Sequence, residues 1–194
     1  MKNLILLFFV LTINPVFSHE MSDQDRPIEK WYYLLTIGTH YEKYKGEINS
    51  TIKRVRNKTE DHQSHGEITL VGVYLPILDN HKSLLGFKYS GGWDEYDDEI
   101  ITVSFFGPSY IHYMDKIGEG IFVYTDVGIS QLVYKDSKIG EERLDEEGFT
   151  GRLGVGYAFP ILKETSFILT LHNTTRWFDI GVVNSVSANI GFLW

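Results

Sequence analysis

The strongest constraint on this chain is an alternation of apolar and polar side chains, with a period of two, that runs almost without interruption over residues 31–194. It is clearest at the end, where Val186, Ala188, Ile190, Phe192 and Trp194 share one face and Ser187, Asn189 and Gly191 share the other. A strand that is oily on one side and compact and hydrophilic on the other suits a closed barrel whose outside meets lipid. The expected fold class is therefore all-β: an eight-stranded antiparallel up-and-down transmembrane β-barrel.

Eight strands are expected, over residues 31–44, 66–78, 83–93, 99–114, 120–135, 148–162, 165–177 and 182–194. An even number is what a single-chain outer-membrane barrel requires. The connections are expected to alternate, with compact turns at one rim and longer loops at the other. Residues 45–64 form a long polar stretch and 136–147 an acidic one, whereas Lys163-Glu164 is minimal. Pro76 and Pro160 sit in similar contexts, Tyr-Leu-Pro-Ile-Leu and Ala-Phe-Pro-Ile-Leu, and lack the amide donor, so each marks where a ladder stops.

The front of the chain reads as an export signal. Residues 1–18 hold Lys2, an apolar run over 4–11, and Val16 and Ser18 in the minus-three, minus-one relation of a cleavage site. That apolar run is too short to span a bilayer as a helix. The expected organisation is a signal peptide over 1–18, a periplasmic lead-in over 19–30 and the barrel over 31–194. With no cysteine in 194 residues, neither disulfides nor thiolate metal sites are available. A formal charge of −8 argues against nucleic acid as a partner.

Which face looks inward follows from residue size. On the first strand Trp31, Tyr33, Leu35 and Ile37 oppose Thr36, Gly38, His40 and Glu42; on the third, Leu85, Phe87, Tyr89 and Trp93 oppose Gly86, Lys88, Ser90 and Asp94. The sixth sets Leu153, Val155, Tyr157 and Phe159 against Arg152, Gly154, Gly156 and Ala158, and the seventh sets Phe167, Leu169 and Leu171 against Thr170, His172, Thr174 and Arg176. The polar face is rich in Gly, Ala, Ser and Thr, which fit a crowded lumen better than a wetted surface. Hence the polar face is expected inside. Trp31, Tyr33, Tyr113, Phe159, Phe167 and Trp194 then lie near one rim, and Tyr41, Tyr89, Trp93 and Trp177 towards the other, as two aromatic girdles would. The inward charges Lys88, Arg152, Arg176 and Asp126, with His40 and Glu42, must pair, because a lone buried charge costs several kcal/mol. Eight strands leave room for side chains rather than an open pore.

Assembled, these features resemble the small outer-membrane barrels of Gram-negative bacteria: the OmpA transmembrane domain, OmpX and opacity-type proteins. The likeness rests on Phe106-Gly107-Pro108-Ser109-Tyr110, residues 151–159 and residues 187–194. It implies secretory export, an outer-membrane location, and contact with outer-membrane lipids and lipopolysaccharide. It further implies that the terminal aromatic strand addresses the barrel-assembly machinery, and that the external loops serve a structural or surface-interaction role, with an extracellular or host ligand as a partner.

No catalytic residue, cofactor or metal is assigned from the sequence, although three constellations invite comparison. His172-Asn173-Thr174 is similar to the His-x-Ser core of lipid A deacylases, with Thr174 in place of serine. His172 and Thr174 fall on the luminal face, while a lipid-cleaving pair must look outward, so the plainer reading is a luminal polar network. His62 and His65, with Glu60, Asp61 and Glu67, could bind a divalent ion, the plainer reading being a solvated loop. Lys53, Arg54, Arg56 and Lys58 form a basic patch suited to lipopolysaccharide or an anionic glycan. Asn49-Ser50-Thr51 and Asn57-Lys58-Thr59 match the glycosylation triplet, without consequence in a bacterial chain. The other function classes are a lipid A-modifying hydrolase and a soluble periplasmic, lipocalin-like lipid carrier.

Overall fold

A computed structural model of the chain describes residues 30–58, 62–77, 82–96, 99–136 and 142–194. The leader and almost all of the lead-in lie outside the described residues. Eight strands, β1 (Tyr32–Gly46), β2 (His62–Ile77), β3 (Ser83–Tyr96), β4 (Glu99–Tyr113), β5 (Gly120–Asp136), β6 (Glu142–Leu162), β7 (Thr165–Phe178) and β8 (Gly181–Leu193), follow one another around a closed barrel. Every neighbouring pair is antiparallel, and β8 closes on β1 from Leu34↔Leu193 to Gly46↔Gly181. The sheet is thus an up-and-down barrel, as the alternation requires.

The orientation of the two faces is that expected from residue size. Leu153 is 69% exposed and Phe87 58%, whereas Arg152 is 3% exposed and Thr174 is fully buried. A barrel with Leu, Ile, Val and Phe outside and Arg, Asp and Glu inside inverts the arrangement of a water-soluble one.

The lumen itself is layered. Towards the β1 start, Leu34, Tyr74, Leu84, Ile111, Tyr113 and Phe122 belong to one buried apolar cluster. Towards the β1 end, Tyr44, Tyr96, Ile101, Leu132, Phe178 and Val183 belong to another. The charged residues lie between these two plugs. Tyr113, expected in an aromatic girdle, instead points inward and packs on Phe122 with ring centroids 5.0 Å apart.

The long connection after β1 is not irregular. Residues Glu47–Lys58 form an α-helix, α1. Gly46, at φ +85°, lets the chain leave the strand, and Glu47 in the first turn complements the helix dipole. Ile48 and Ile52, four residues apart and so on one face, are buried in the apolar cluster at the end of the lumen. The Ile48 amide donates to the Ile180 carbonyl at 3.2 Å, tying α1 to the β7–β8 turn. The helix lids the barrel.

The acidic segment expected as a loop is largely strand as well. β5 runs to Asp136, β6 starts at Glu142, and the ladder continues to Lys135↔Glu142. Because β7 ends opposite Gly148, this hairpin projects past its neighbour by six residues, about 20 Å of strand. The outer rim therefore consists of a helix and a tall hairpin, with the β7–β8 connection a tight turn at Asp179 and Ile180. At the opposite rim Gly118 (φ +82°) and Gly120 (φ +73°) make the β4–β5 turn, and Ser166 donates to the Gly118 carbonyl at 2.6 Å.

Candidate functional site

Arg152 organises the middle of the lumen. Its alternation with outward Leu153 aims the guanidinium inward from β6, where Nη2 donates to Glu67 Oε1 at 2.9 Å and Nη1 lies 3.4 Å from Asp126 Oδ2. Its Nε donates to Thr174 Oγ1 at 3.0 Å, and the guanidinium stands 5.3 Å from the centre of the Phe105 ring. Lys88 Nζ donates to Asp126 Oδ2 at 3.2 Å, and Ser109 donates to Asp126 Oδ1 at 2.6 Å. Two carboxylates thus face two cations, and each of their four oxygens has a hydrogen-bonding partner, Glu67 Oε2 through His172, the condition under which buried ion pairs are tolerated.

His172 and Thr174 both belong to this network, but they are not set against each other. His172 Nδ1 is 2.7 Å from the Tyr124 hydroxyl and Nε2 is 3.1 Å from Glu67 Oε2. Both ring nitrogens are engaged, and the Thr174 hydroxyl accepts from Arg152. A nucleophile needs a base within hydrogen-bonding reach; here the imidazole serves Tyr124 and Glu67 instead.

Glu67 was grouped in the sequence with Glu60, Asp61, His62 and His65. Of these, Glu60 and Asp61 lie outside the described residues, and Glu67 is buried at 1% exposure on Arg152 and His172. β2 begins at His62 rather than at 66, so residues 62–65, read as loop, are already strand, and Glu67, within the expected strand, faces inward. Glu67 is thus a luminal strand residue rather than a loop residue. His65 remains exposed, with its ring 6.1 Å from that of His40.

A second group of polar residues lies nearer the outer plug. His40 and Glu42 alternate inward from β1 and Asp94 from β3, all three buried. Arg176 Nη1 donates to Glu42 Oε1 and to Ser185 Oγ, each at 3.1 Å. The Tyr44 hydroxyl meets Glu42 Oε2 at 2.5 Å and Asp94 Oδ2 at 3.1 Å. The sequence pointed to His40 with Glu42 but not to Tyr44 and Asp94 as their neighbours. Inward Glu42 and Tyr44 at alternate positions were the available signal.

Around this group the wall is only half closed. Among the described residues, β1 pairs with β2 from Tyr32↔Tyr74 to Gly38↔Glu67 and no further, although β1 stays paired with β8 to Gly46. The stretch of β1 bearing His40, Glu42 and Tyr44 lies beyond that point.

The outer surface carries paired aromatics at two levels. On the β6–β7 hairpin Phe149 stacks on Trp177 with centroids 5.9 Å apart, and ten residues along Phe159 packs on Phe167 at 6.2 Å. Tyr33 and Trp194 stack at 6.1 Å across the β1–β8 closure. Ten strand residues cover about 33 Å, and a tilt of about 40° reduces that to a height of about 25 Å. This is the height of the apolar band on an outer-membrane barrel.

No family model and no curated protein sequence matches the chain. Solved structures do match it. One is Ail, the attachment invasion locus protein of Yersinia pestis, in complex with the heparin analogue sucrose octasulfate. It is 10% identical, with 85% of this chain and 99% of that one covered at a TM-score of 0.55. Neisserial surface protein A is 13% identical over 85% of this chain and 98% of its own, at a TM-score of 0.52. The fold is that of the small outer-membrane barrels. At these identities the likeness extends to architecture, and the chemistry of rim and lumen must be read from this chain's own residues.

Proposed function

We propose that this protein spans the outer membrane of a Gram-negative bacterium after secretory export, and that its outer rim binds anionic polysaccharide, either lipopolysaccharide or a sulfated host glycan. The inverted barrel with its two aromatic levels carries the location. A lipocalin-like carrier would need an apolar cavity and a wetted exterior, the reverse of what Phe87, Leu153 and Arg152 present. In this reading β8, which closes the barrel on β1, is the strand presented to the barrel-assembly machinery, and the barrel is a scaffold rather than a pore or an enzyme.

The ligand class rests on charge placement. In a chain of net charge −8, Lys53, Arg54, Arg56 and Lys58 are gathered on α1, and exposed Lys43 and Lys45 stand at the adjoining end of β1. α1 is anchored by Ile48 and Ile52, so the helix that bears these residues is a held platform rather than a free tether, which lowers the ordering cost of binding. A basic patch on an acidic protein attracts polyanions locally and in a salt-dependent way. The Ail structure, with its heparin analogue, shows that a barrel of this architecture accommodates such a ligand.

The test is binding of the detergent-solubilised protein to immobilised heparin and to lipopolysaccharide at two salt concentrations. The quadruple variant K53A/R54A/R56A/K58A should lose about tenfold or more in affinity, and the wild-type affinity should fall as salt rises. Binding that is indifferent to both salt and the substitutions overturns the ligand class. Recovery of the protein in the soluble periplasmic fraction without detergent overturns the location.

A further inference from the structure

His40, Glu42 and Asp94 bring three ligand atoms together inside the barrel. His40 Nε2 lies 3.4 Å from Asp94 Oδ1 and 4.0 Å from Glu42 Oε1, and one ligand atom of each residue lies within 4.8 Å of the other two. The three residues are 7%, 5% and 5% exposed. Despite its burial, His40 Nε2 makes no hydrogen bond; the Asp94 oxygen is near, but not placed to accept one.

Tyr44 acts on the far side of both acids. Its hydroxyl engages Glu42 Oε2 and Asp94 Oδ2, which leaves Oε1 and Oδ1 as the oxygens facing the imidazole. Outer groups that fix the unused oxygens of ligating carboxylates are a regular part of metal centres. Glu42 Oε1 also accepts from Arg176, and a carboxylate oxygen has a second lone pair for another partner. Gly92 lies against the ring: a Cβ there would stand 3.0 Å from His40 Cε1, so glycine leaves the imidazole its room.

We propose that His40 Nε2, Glu42 Oε1 and Asp94 Oδ1 bind one divalent transition cation, with Zn²⁺ as the reference ion. One imidazole and two carboxylates make a borderline donor set; Ca²⁺ and Mg²⁺ ask for six or more oxygens. Tetrahedral coordination at about 2.1 Å sets donors about 3.4 Å apart, the separation His40 and Asp94 already have, and a small rotation of Glu42 supplies the third. The ion reaches the site past the upper β1–β2 flank, where the ladder has ended, and exposed His65 stands beside that route with its ring 6.1 Å from His40. Water or the His65 imidazole fills the fourth position. The site is independent of polysaccharide binding at α1.

The experiment titrates Zn²⁺, with Mg²⁺ as comparator, into the full chain refolded in detergent micelles, followed by calorimetry and by competition with a chromophoric chelator. One Zn²⁺ per chain should bind in the micromolar range or tighter. Affinity should fall about tenfold or more in H40Q and in D94N, and about tenfold in Y44F. H112Q, altered at the opposite rim where His112 bonds Ser83, should bind as the wild type does. Heat-modifiable gel migration identifies the variants that form the barrel; should H40Q fail to, D94N and Y44F decide by the same criterion. Absence of stoichiometric binding, displacement by equimolar Mg²⁺, or an affinity unchanged in the folded variants overturns the proposal.

Discussion

Replacing Arg152 with methionine tests whether the lumen is held by its ion network. The two side chains are of similar length, so the change removes charge and hydrogen bonds with little loss of volume. Four partners are affected unequally. Asp126 keeps Lys88 at 3.2 Å and Ser109 at 2.6 Å, and the Thr174 and Ser90 hydroxyls each lose one hydrogen bond from the guanidinium. Glu67 loses its only guanidinium and retains His172 at 3.1 Å. The penalty therefore centres on one stranded carboxylate at 1% exposure. Removing one partner of a buried pair costs about 3–5 kcal/mol, and with Asp126 still paired the lower end applies. About 3 kcal/mol is roughly a hundredfold in the folding equilibrium. Reversible urea unfolding in lipid vesicles, followed by tryptophan fluorescence, reads this directly. Adding Glu67→Gln removes the stranded charge, so the double variant should be more stable than R152M alone. A loss below about 1 kcal/mol for R152M, or a double variant showing simple additivity, refutes the account.

Moving the same charge by one residue reverses its environment. Leu153→Arg faces outward near mid-barrel and should destabilise by about 2–4 kcal/mol in the same vesicle assay; a change within about 0.5 kcal/mol would mean that this face does not meet hydrocarbon. Ile48→Asp with Ile52→Asp puts two carboxylates into the apolar cluster beneath α1 and should release the helix. Trypsin cleavage at Lys53 and Arg54 should accelerate severalfold while heat-modifiable migration persists, and an unchanged cleavage rate would show that these isoleucines do not hold α1.

The eight strands and the direction of their faces were legible because period-two alternation is local: Leu153 beside Arg152 states its orientation without reference to any other strand. What escaped notice had weaker or competing signals. α1 lies in a polar stretch whose apolar content is mainly Ile48, Ile52 and Val55, too little to mark a helix until a lumen exists for the first two to enter. Their four-residue spacing was the clue. The apolar plugs were hidden by attention to one face at a time. Leu34-Leu35, Leu84-Leu85 and Ile100-Ile101 interrupt the alternation, and such neighbours require both faces to be apolar at that level. Glu67 lay inside the expected strand over 66–78 but was grouped with the charged stretch before it; its place in the strand's alternation, beside Ile68, was the signal that it faces the lumen.

The β1–β2 flank fixes where this barrel can sit in a bilayer. Hydrocarbon offers no partner to unpaired amides and carbonyls, so a wall that loses its ladder cannot remain at acyl-chain depth. On that side the ladder among the described residues ends at Gly38↔Glu67, and the next outward aromatic on β1 is Tyr41, 64% exposed. A tyrosine suits the headgroup level, where its ring is apolar and its hydroxyl wet. Tyr33 and Tyr41 are eight residues apart, about 20 Å of height at the usual tilt, slightly less than the span between aromatics on β7. The apolar belt is accordingly lower on the β1–β2 side. His40, Glu42 and Asp94 then lie at the hydrocarbon edge, where a polar cluster is reached from the headgroup layer without passing the ionic centre of the barrel. α1 leaves the adjoining end of β1, so the surface proposed to meet polysaccharide and the site that would hold a cation occupy one side of the molecule.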